Sequence, residues 1–262
     1  MVIHLDFTGR TVLITGGAGG LGRACVEAFL EGGAAVVVSD LPSERLDKLV
    51  ADLGGEVGRL HVVPLDLSDR ENCARLPGLA CAAAGVDSLD VLVNSVGVLR
   101  TAPLVDITSE QWSRTIEINL SGVFATMQAA ARLMSGAGSI VTLSSVAGHS
   151  GRPNAADYAA TKAALLSLTK SAALALGPGI RVNAVCPGMF LTEMWAGIIR
   201  DRDAELGEGA GQAYLEEVAS KTALGRAGEA RELAAAVAFL ASDLASFVTG
   251  QALNVDGGLG MD

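Results

Sequence analysis

Arg10-Thr-Val-Leu-Ile-Thr15 runs straight into Gly16-Gly17-Ala18-Gly19-Gly20-Leu21-Gly22, and this stretch decides the fold. The β-branched, apolar run up to Thr15 predicts a strand, and Leu21 to Glu31 predicts a helix. Ala34 to Ser39 is a second apolar run that ends on Asp40. Strand, glycine turn, helix, strand and terminal acid make a dinucleotide-binding fingerprint. Glycines let the main chain approach a pyrophosphate, and a helix N-terminus turns its N–H groups and positive dipole end towards it. Asp40 follows Gly20 by twenty residues. A carboxylate there accepts from a ribose diol and repels a 2′-phosphate. With no Lys or Arg at Gly19 or Leu41, the pattern predicts NAD over NADP.

Composition narrows the possibilities further. The 262 residues suffice for a full core and read as one dinucleotide-binding and catalytic domain over 1–262. Half the residues are hydrophobic, yet no apolar run approaches the length of about 18 that a membrane span needs. A net charge of −10 without a Lys/Arg cluster argues against nucleic acid. Met1–Asp6 lacks the charged start and apolar core of a signal peptide, so a cytoplasmic location is expected. Cys25, Cys73, Cys81 and Cys186 have no Cys-x-x-Cys spacing, and His4, His61 and His149 are scattered. No metal site is expected, and free thiols suit a reducing compartment.

The rest of the chain alternates in the same way. Further strands are expected at Arg59–Leu65, Ser88–Asn94, Ser139–Ser145, Ile180–Val185 and Gln251–Val255. Ser43 should cap a helix ending near Gly54-Gly55, and Ser68-Asp69-Arg70-Glu71 fits a capping box for a helix carrying Cys73 and Cys81. Thr108, with Gln111 three residues on, should open a long helix reaching Met134. Asn119 lies in its middle, where an amide among apolar neighbours is costly unless used. Glu229–Leu240 is a last helix, and Thr192 to about Leu224, broken by glycines, is the least regular part and a lid by position. The expected architecture is α/β: a single-domain Rossmann fold, a doubly wound parallel sheet of about seven strands with helices on both faces. Gly16, Asp40, Asp66, Asn94, Ser145 and Pro187 then fall at strand ends, where such sheets bind ligands. Asp66 there is either an adenine-amino acceptor or a simple turn acid.

One helix carries the chemistry. Ala155 to Leu176 reads as a helix that Asn154 could cap, and Tyr158 and Lys162 stand four apart on one of its faces. A phenol with a pKa near ~10 needs a neighbouring cation to work near neutrality. Ser145, thirteen residues upstream, can reach the same substrate oxygen. A bare Tyr-x-x-x-Lys is common on helix surfaces by chance; convergence with the strand ends is what gives this one weight.

With these residues placed, the chain resembles the short-chain dehydrogenase/reductase family along nearly its whole length. Thr15-Gly16-x-x-x-Gly20-x-Gly22 is similar to the family's cofactor loop, and Ser145, Tyr158 and Lys162, with Asn119, are similar to its catalytic set. Pro187-Gly188 with Thr192 resembles the segment that holds the nicotinamide amide. Val248-Thr249-Gly250 and Asp256-Gly257-Gly258 resemble its C-terminal signature. The resemblance implies NAD contacts from Thr15, Gly16, Gly20, Leu21, Gly22, Asp40, Leu41, Asp66, Leu67, Asn94, Ser95 and Gly97. Further contacts are implied from Tyr158, Lys162, Pro187, Gly188, Phe190 and Thr192. It implies that Tyr158 exchanges a proton with the substrate oxygen and that Ser145 polarises it. Lys162 would lower the tyrosine pKa and bond a ribose, and Asn119 would hold a water. Asn94-Ser95-Val96-Gly97 departs from the family's usual Asn-Asn-Ala-Gly, which changes the fine contacts of that loop.

The substrate is an alcohol or ketone on this resemblance, in the style of polyol, acetoin or butanediol dehydrogenases. His149, Met194 and Trp195 are the candidate pocket residues beside Ser145. A 3-oxoacyl thioester reductase is the alternative, disfavoured by Asp40 and the acidic balance. A non-catalytic NAD-sensing protein is a second alternative, opposed by the retained Tyr158 and Lys162. A sugar-nucleotide epimerase would need a larger C-terminal part. The alanines of the Tyr158 helix (Ala163, Ala164, Ala172, Ala173, Ala175) permit close helix approach, and the resemblance implies a homotetramer or homodimer built there.

Overall fold

Strand residues point alternately to the two faces of a sheet, and here both faces are apolar. The computed structural model describes residues 5–54 and 58–261; His4, the segment before it and Gly55 lie outside the described residues. Its strands are β1 (Thr11–Thr15), β2 (Ala35–Ser39), β3 (Leu60–Val62), β4 (Val91–Asn94), β5 (Gly138–Leu143), β6 (Ile180–Pro187) and β7 (Ala252–Val255). They form one seven-stranded sheet in the order β3-β2-β1-β4-β5-β6-β7, and every pairing is parallel.

The helices are α1 (Gly20–Glu31), α2 (Glu44–Leu53), α3 (Arg70–Ala84), α4 (Ser109–Ile116), α5 (Val123–Ala131), α6 (Ala156–Leu176), α7 (Glu193–Leu206), α8 (Ala210–Ser220) and α9 (Ala230–Ala241). Alternation along the strands sorts the core into two layers. Val12, Ile14, Val36, Val38, Val93 and Val141 pack with Phe29, Leu49, Leu233 and Val237 of α1, α2 and α9. Leu13, Val37, Leu92, Ile140 and Val182 pack with Leu76, Met127 and Ala172 of α3, α5 and α6. At about 25 cal/mol per Å² of apolar surface, each such side chain contributes roughly 1.5–3 kcal/mol.

The main elements stand where the sequence puts them, and several local expectations are corrected. The third strand is only Leu60–Val62, and the fourth begins at Val91 rather than Ser88. Asp69, not Ser68, caps α3, accepting from the Glu71 N–H at 2.8 Å. Ser68 N–H is taken by the Asp66 carboxylate instead. Asn154 does not cap α6: Ala155 holds the cap position without a side-chain bond, while Asn154 O accepts from Ala102 N. Ser43 and Thr108 cap α2 and α4 as expected.

The long helix from Thr108 is broken by one π-helical turn, Glu117–Gly122, and α5 ends at Ala131. The segment after Thr192 is more regular than its glycines imply. It is a helical hairpin, α7–α8, in which Trp195 stacks on Tyr214 at 6.0 Å and Arg202 lies over the same ring. Of the alanines on α6, Ala172 and Ala173 belong to the inner core, which leaves Ala163 and Ala175 exposed. No helix among the described residues is long and apolar enough to cross a membrane.

Candidate active site

The site is assembled at the carboxyl ends of β1, β2, β4, β5 and β6. Gly16 adopts φ +68°, and a Cβ there would stand 2.8 Å from Val96 N, so only glycine lets the loop pass β4. Its N–H donates to Ser39 O at 2.8 Å, and Ser95 N–H donates to Thr15 O at 3.2 Å, which seats the loop between the ends of β2 and β4. No side chain caps α1 and its first turn has no acid. The N-terminus of α1 thus keeps its N–H groups and dipole for an anion.

Asp40 is turned towards this loop, accepting from Ala18 N at 2.9 Å and from Leu41 N at 2.8 Å. Two polar atoms at the ends of β2 and β4, on either side of β1, Ser39 Oγ and Asn94 Oδ1, are buried without a partner among the described residues. Asn94 Nδ2 reaches Thr142 Oγ1 at 3.3 Å. An uncapped helix start, a glycine cradle and two unpartnered buried oxygens fit a dinucleotide. Thr192 lies against Gly20, its methyl 3.2 Å from where a Cβ would be, and Gly188 donates to Val255 O. Leu21 is partly buried, Leu67 and Phe190 are buried, and Leu41 is half exposed at the rim. Asp66 is exposed and serves its own turn, where the Ser68 hydrogen bonds hold its carboxyl below the usual range.

Tyr158, Ser145 and Lys162 come together as expected. Ser145 sits just past β5, capping a short turn by accepting from Ala147 N at 3.0 Å, and its hydroxyl acts to lower the Tyr158 pKa. Lys162 Nζ lies 5.5 Å from the centre of the Tyr158 ring and donates to Leu143 O at 2.8 Å. The lysine is 4% exposed, and burial pushes its pKa down from 10.5 to about 8. Burial likewise raises the Tyr158 pKa; the Ser145 hydroxyl and the charge of Arg152 draw it back. The sequence reading assigned that lowering to Lys162. Its ammonium stands beside the ring, desolvated and donating to the Leu143 carbonyl.

Asn119 is fully buried in the π turn, and its amide mimics a strand neighbour for Val98. Oδ1 accepts from Val98 N at 2.8 Å and Nδ2 donates to Val98 O at 2.9 Å. A Cβ placed on Gly97 would lie 3.6 Å from both Asn119 Oδ1 and Lys162 Nζ, so these three residues border one space. Of the candidate pocket residues, His149 and Met194 are exposed, and Trp195 is engaged with Tyr214 inside the hairpin.

Three supporting residues escaped the sequence reading. Ser144 Oγ donates to Lys162 O at 2.8 Å, tying β5 to α6. Asp157 is buried beside Tyr158, its carboxylate accepting from Thr115 Oγ1 at 2.8 Å and Gln111 Nε2 at 3.2 Å. Arg45 of α2 pairs with Glu193 at the start of α7. Only an acid one residue before Tyr158 was visible as a signal. A hollow of about 930 Å³ lies elsewhere, between α3 and the π turn, lined by Glu71, Glu117 and Phe124 among others. It contains none of the expected site residues. Among the described residues no cluster of three His, Cys, Asp or Glu is placed to hold a metal ion.

Comparison with known proteins agrees with this geometry. A family model described as enoyl-(acyl carrier protein) reductase matches residues 16–260. A Thermotoga maritima protein named 3-oxoacyl-[acyl-carrier-protein] reductase is 39% identical over 254 residues, covering 96% of this chain and 98% of its own. A Sinomonas cyclohexanicum protein named cis-4-hydroxycyclohexanecarboxylate dehydrogenase is 41% identical over 256 residues, covering 96% and 97%. A crystal structure of a glucose/ribitol dehydrogenase-type protein from Brucella melitensis superposes with a TM-score of 0.89 at 36% identity, over 99% of this chain and 100% of the other. By matched length, identity and fold together, this chain belongs to the short-chain dehydrogenase/reductase family.

Proposed function

We propose that this chain is an NAD-dependent oxidoreductase acting on a secondary alcohol or its ketone, with Tyr158 as the general acid/base. The observation that carries the reading is the Lys162 ammonium 5.5 Å from the centre of the Tyr158 ring, on a helix whose main chain is held to the Ser144-Ser145 turn. When bound, the nicotinamide supplies the hydride chemistry. The chain's own residues do the rest. Tyr158 gives or takes the proton at the substrate oxygen, and Ser145 Oγ hydrogen-bonds that oxygen. Lys162 supplies positive charge beside the phenol, and Asn119 fixes the Gly97-Val98 backbone that borders the same space.

NAD is favoured over NADP because the Asp40 carboxylate is held at the glycine loop by two N–H groups, where a 2′-phosphate would meet its charge. The chain is read as one dinucleotide-binding and catalytic unit, with 192–224 as its lid and a small polyol, diol or acyloin as substrate. It assembles as a homodimer or homotetramer, and its four cysteines, none of them in a disulfide among the described residues, suit the cytoplasm. A second reading, reduction of a 3-oxoacyl thioester, draws on the name of the Thermotoga relative. Asp40 and the net charge of −10 weigh against it.

The test is Tyr158→Phe. Turnover of a panel of secondary alcohols should fall by about 10²-fold or more while NADH binding persists. The unmodified chain should show a higher kcat/KM with NAD than with NADP. Near-normal turnover by the variant overturns the catalytic assignment, and a preference for NADP overturns the cofactor choice.

A further inference from the structure

Between Ser145 and Tyr158 the chain carries one arginine or lysine, Arg152. The segment is firmly placed. A Cβ on Gly148 would stand 2.9 Å from Lys162 C and O, so the main chains are in contact. Arg152 O accepts from Ala155 N at 3.2 Å, and Asn154 O accepts from Ala102 N at 3.0 Å. Arg152 therefore sits on a turn pinned to both the start of α6 and the segment after β4.

Its environment differs from that of every other partly buried arginine among the described residues. Arg10 and Arg23 are paired with carboxylates. Arg59 and Arg181 donate to main-chain carbonyls, and Arg202 lies on the Tyr214 ring. Arg152 is partly buried, and among the described residues no carboxylate, carbonyl or ring lies on its guanidinium. The nearest acid in sequence, Asp157, is occupied by Thr115, Gln111 and the Tyr158 N–H. In a chain with 29 acidic and 19 basic residues, a partly covered guanidinium with no partner among the described residues calls for an explanation. A guanidinium presents a flat fork of donors that matches carboxylate and phosphate oxygens. Arg152 stands on the turn that leads from Ser145 into the Tyr158 helix and is pinned to its start, so an anion resting on it lies in the same neighbourhood as the reacting oxygen.

We propose that Arg152 selects substrates bearing an anionic oxygen group, a carboxylate or a phosphate monoester, in addition to the carbinol or carbonyl that reacts. This narrows the substrate class of the proposed oxidoreductase and rests on that reading.

The test compares hydroxycarboxylates, with two to four carbons between carbinol and carboxylate, with their primary amides and with the corresponding hydroxyalkyl phosphates. Two ratios of anion to amide are measured in the unmodified chain, Arg152→Gln and Arg152→Lys. One is kcat/KM; the other is affinity for the NADH-loaded protein, read from nucleotide fluorescence. The unmodified chain should favour one anionic series over the amides by about tenfold or more. Which series wins tells carboxylate from phosphate. Arg152→Gln should bring the ratio near one, and Arg152→Lys should leave it intermediate, since an ammonium keeps the charge but not the fork. A ratio near one in the unmodified chain, or an equal ratio in Arg152→Gln, overturns the proposal. Turnover confined to neutral alcohols, still lost in Tyr158→Phe, overturns it while leaving the oxidoreductase reading intact. If no compound turns over, that reading falls and the affinity ratio alone decides whether Arg152 binds anions.

Discussion

Lys162 is a cation kept in a place that disfavours cations. Its pKa falls from 10.5 to about 8 because burial penalises the charged form. Between about pH 8 and 10.5 the unfolded chain still holds a proton that the folded chain has released. Stability therefore rises with pH across that window and is lowest below it. Lys162→Met should raise stability at pH 7 by about 1–3 kcal/mol, after about 1 kcal/mol is subtracted for the bond lost at Leu143 O. The advantage should shrink towards pH 10. Urea denaturation at pH 7 and pH 9.5 checks this, and equal midpoints for the two proteins at pH 7 would count against it. At this scale the sequence was informative wherever the chemistry is local. The Gly16–Gly22 loop, Asp40 and the Tyr158/Lys162 spacing could all be read directly. The raised Tyr158 pKa and the unpaired state of Arg152 could not, because both depend on what distant segments bring or fail to bring.

The π turn at Glu117–Gly122 exists to deliver an amide. Apolar periodicity read Thr108 to Met134 as one continuous helix, and a one-residue widening leaves almost no trace in such a pattern. The only trace was Asn119, an amide among apolar neighbours, which the reading did flag as an anchor. Its two bonds to Val98 hold the strand-to-loop passage after β4 at the distance the site needs. Asn119→Ala should cost about 1–3 kcal/mol, because a backbone N–H and C=O are left without partners. It should also speed hydrogen exchange at the Val98 amide. Unchanged protection at Val98 would mean that the loop is held by something else. The caps show the same division: Ser43 and Thr108 could be read in place, whereas Asp69 displaced Ser68 because Asp66 had already taken the Ser68 N–H.

Across the molecule, parallel winding followed from strand–helix alternation, but the strand order did not, since short apolar runs carry no record of their neighbours. Large apolar side chains remain outside: Leu174, Leu244 and Phe247 are exposed. Sedimentation should give a particle of two or four 26.6 kDa chains; a single-chain value would remove the assembly proposed above. One further consequence follows from Gly148. Its contact with the Lys162 main chain, reinforced by Ser144, fastens the serine turn and the tyrosine helix into a single rigid jig. The α7–α8 hairpin packs chiefly on itself and meets the frame through polar ties such as Arg45–Glu193 and Thr101–Asp201. The proton-handling frame, with the Arg152 turn in it, is thus separable from the proposed lid. Hairpins could be traded between cousins to retune what is accepted, with the reaction geometry left undisturbed.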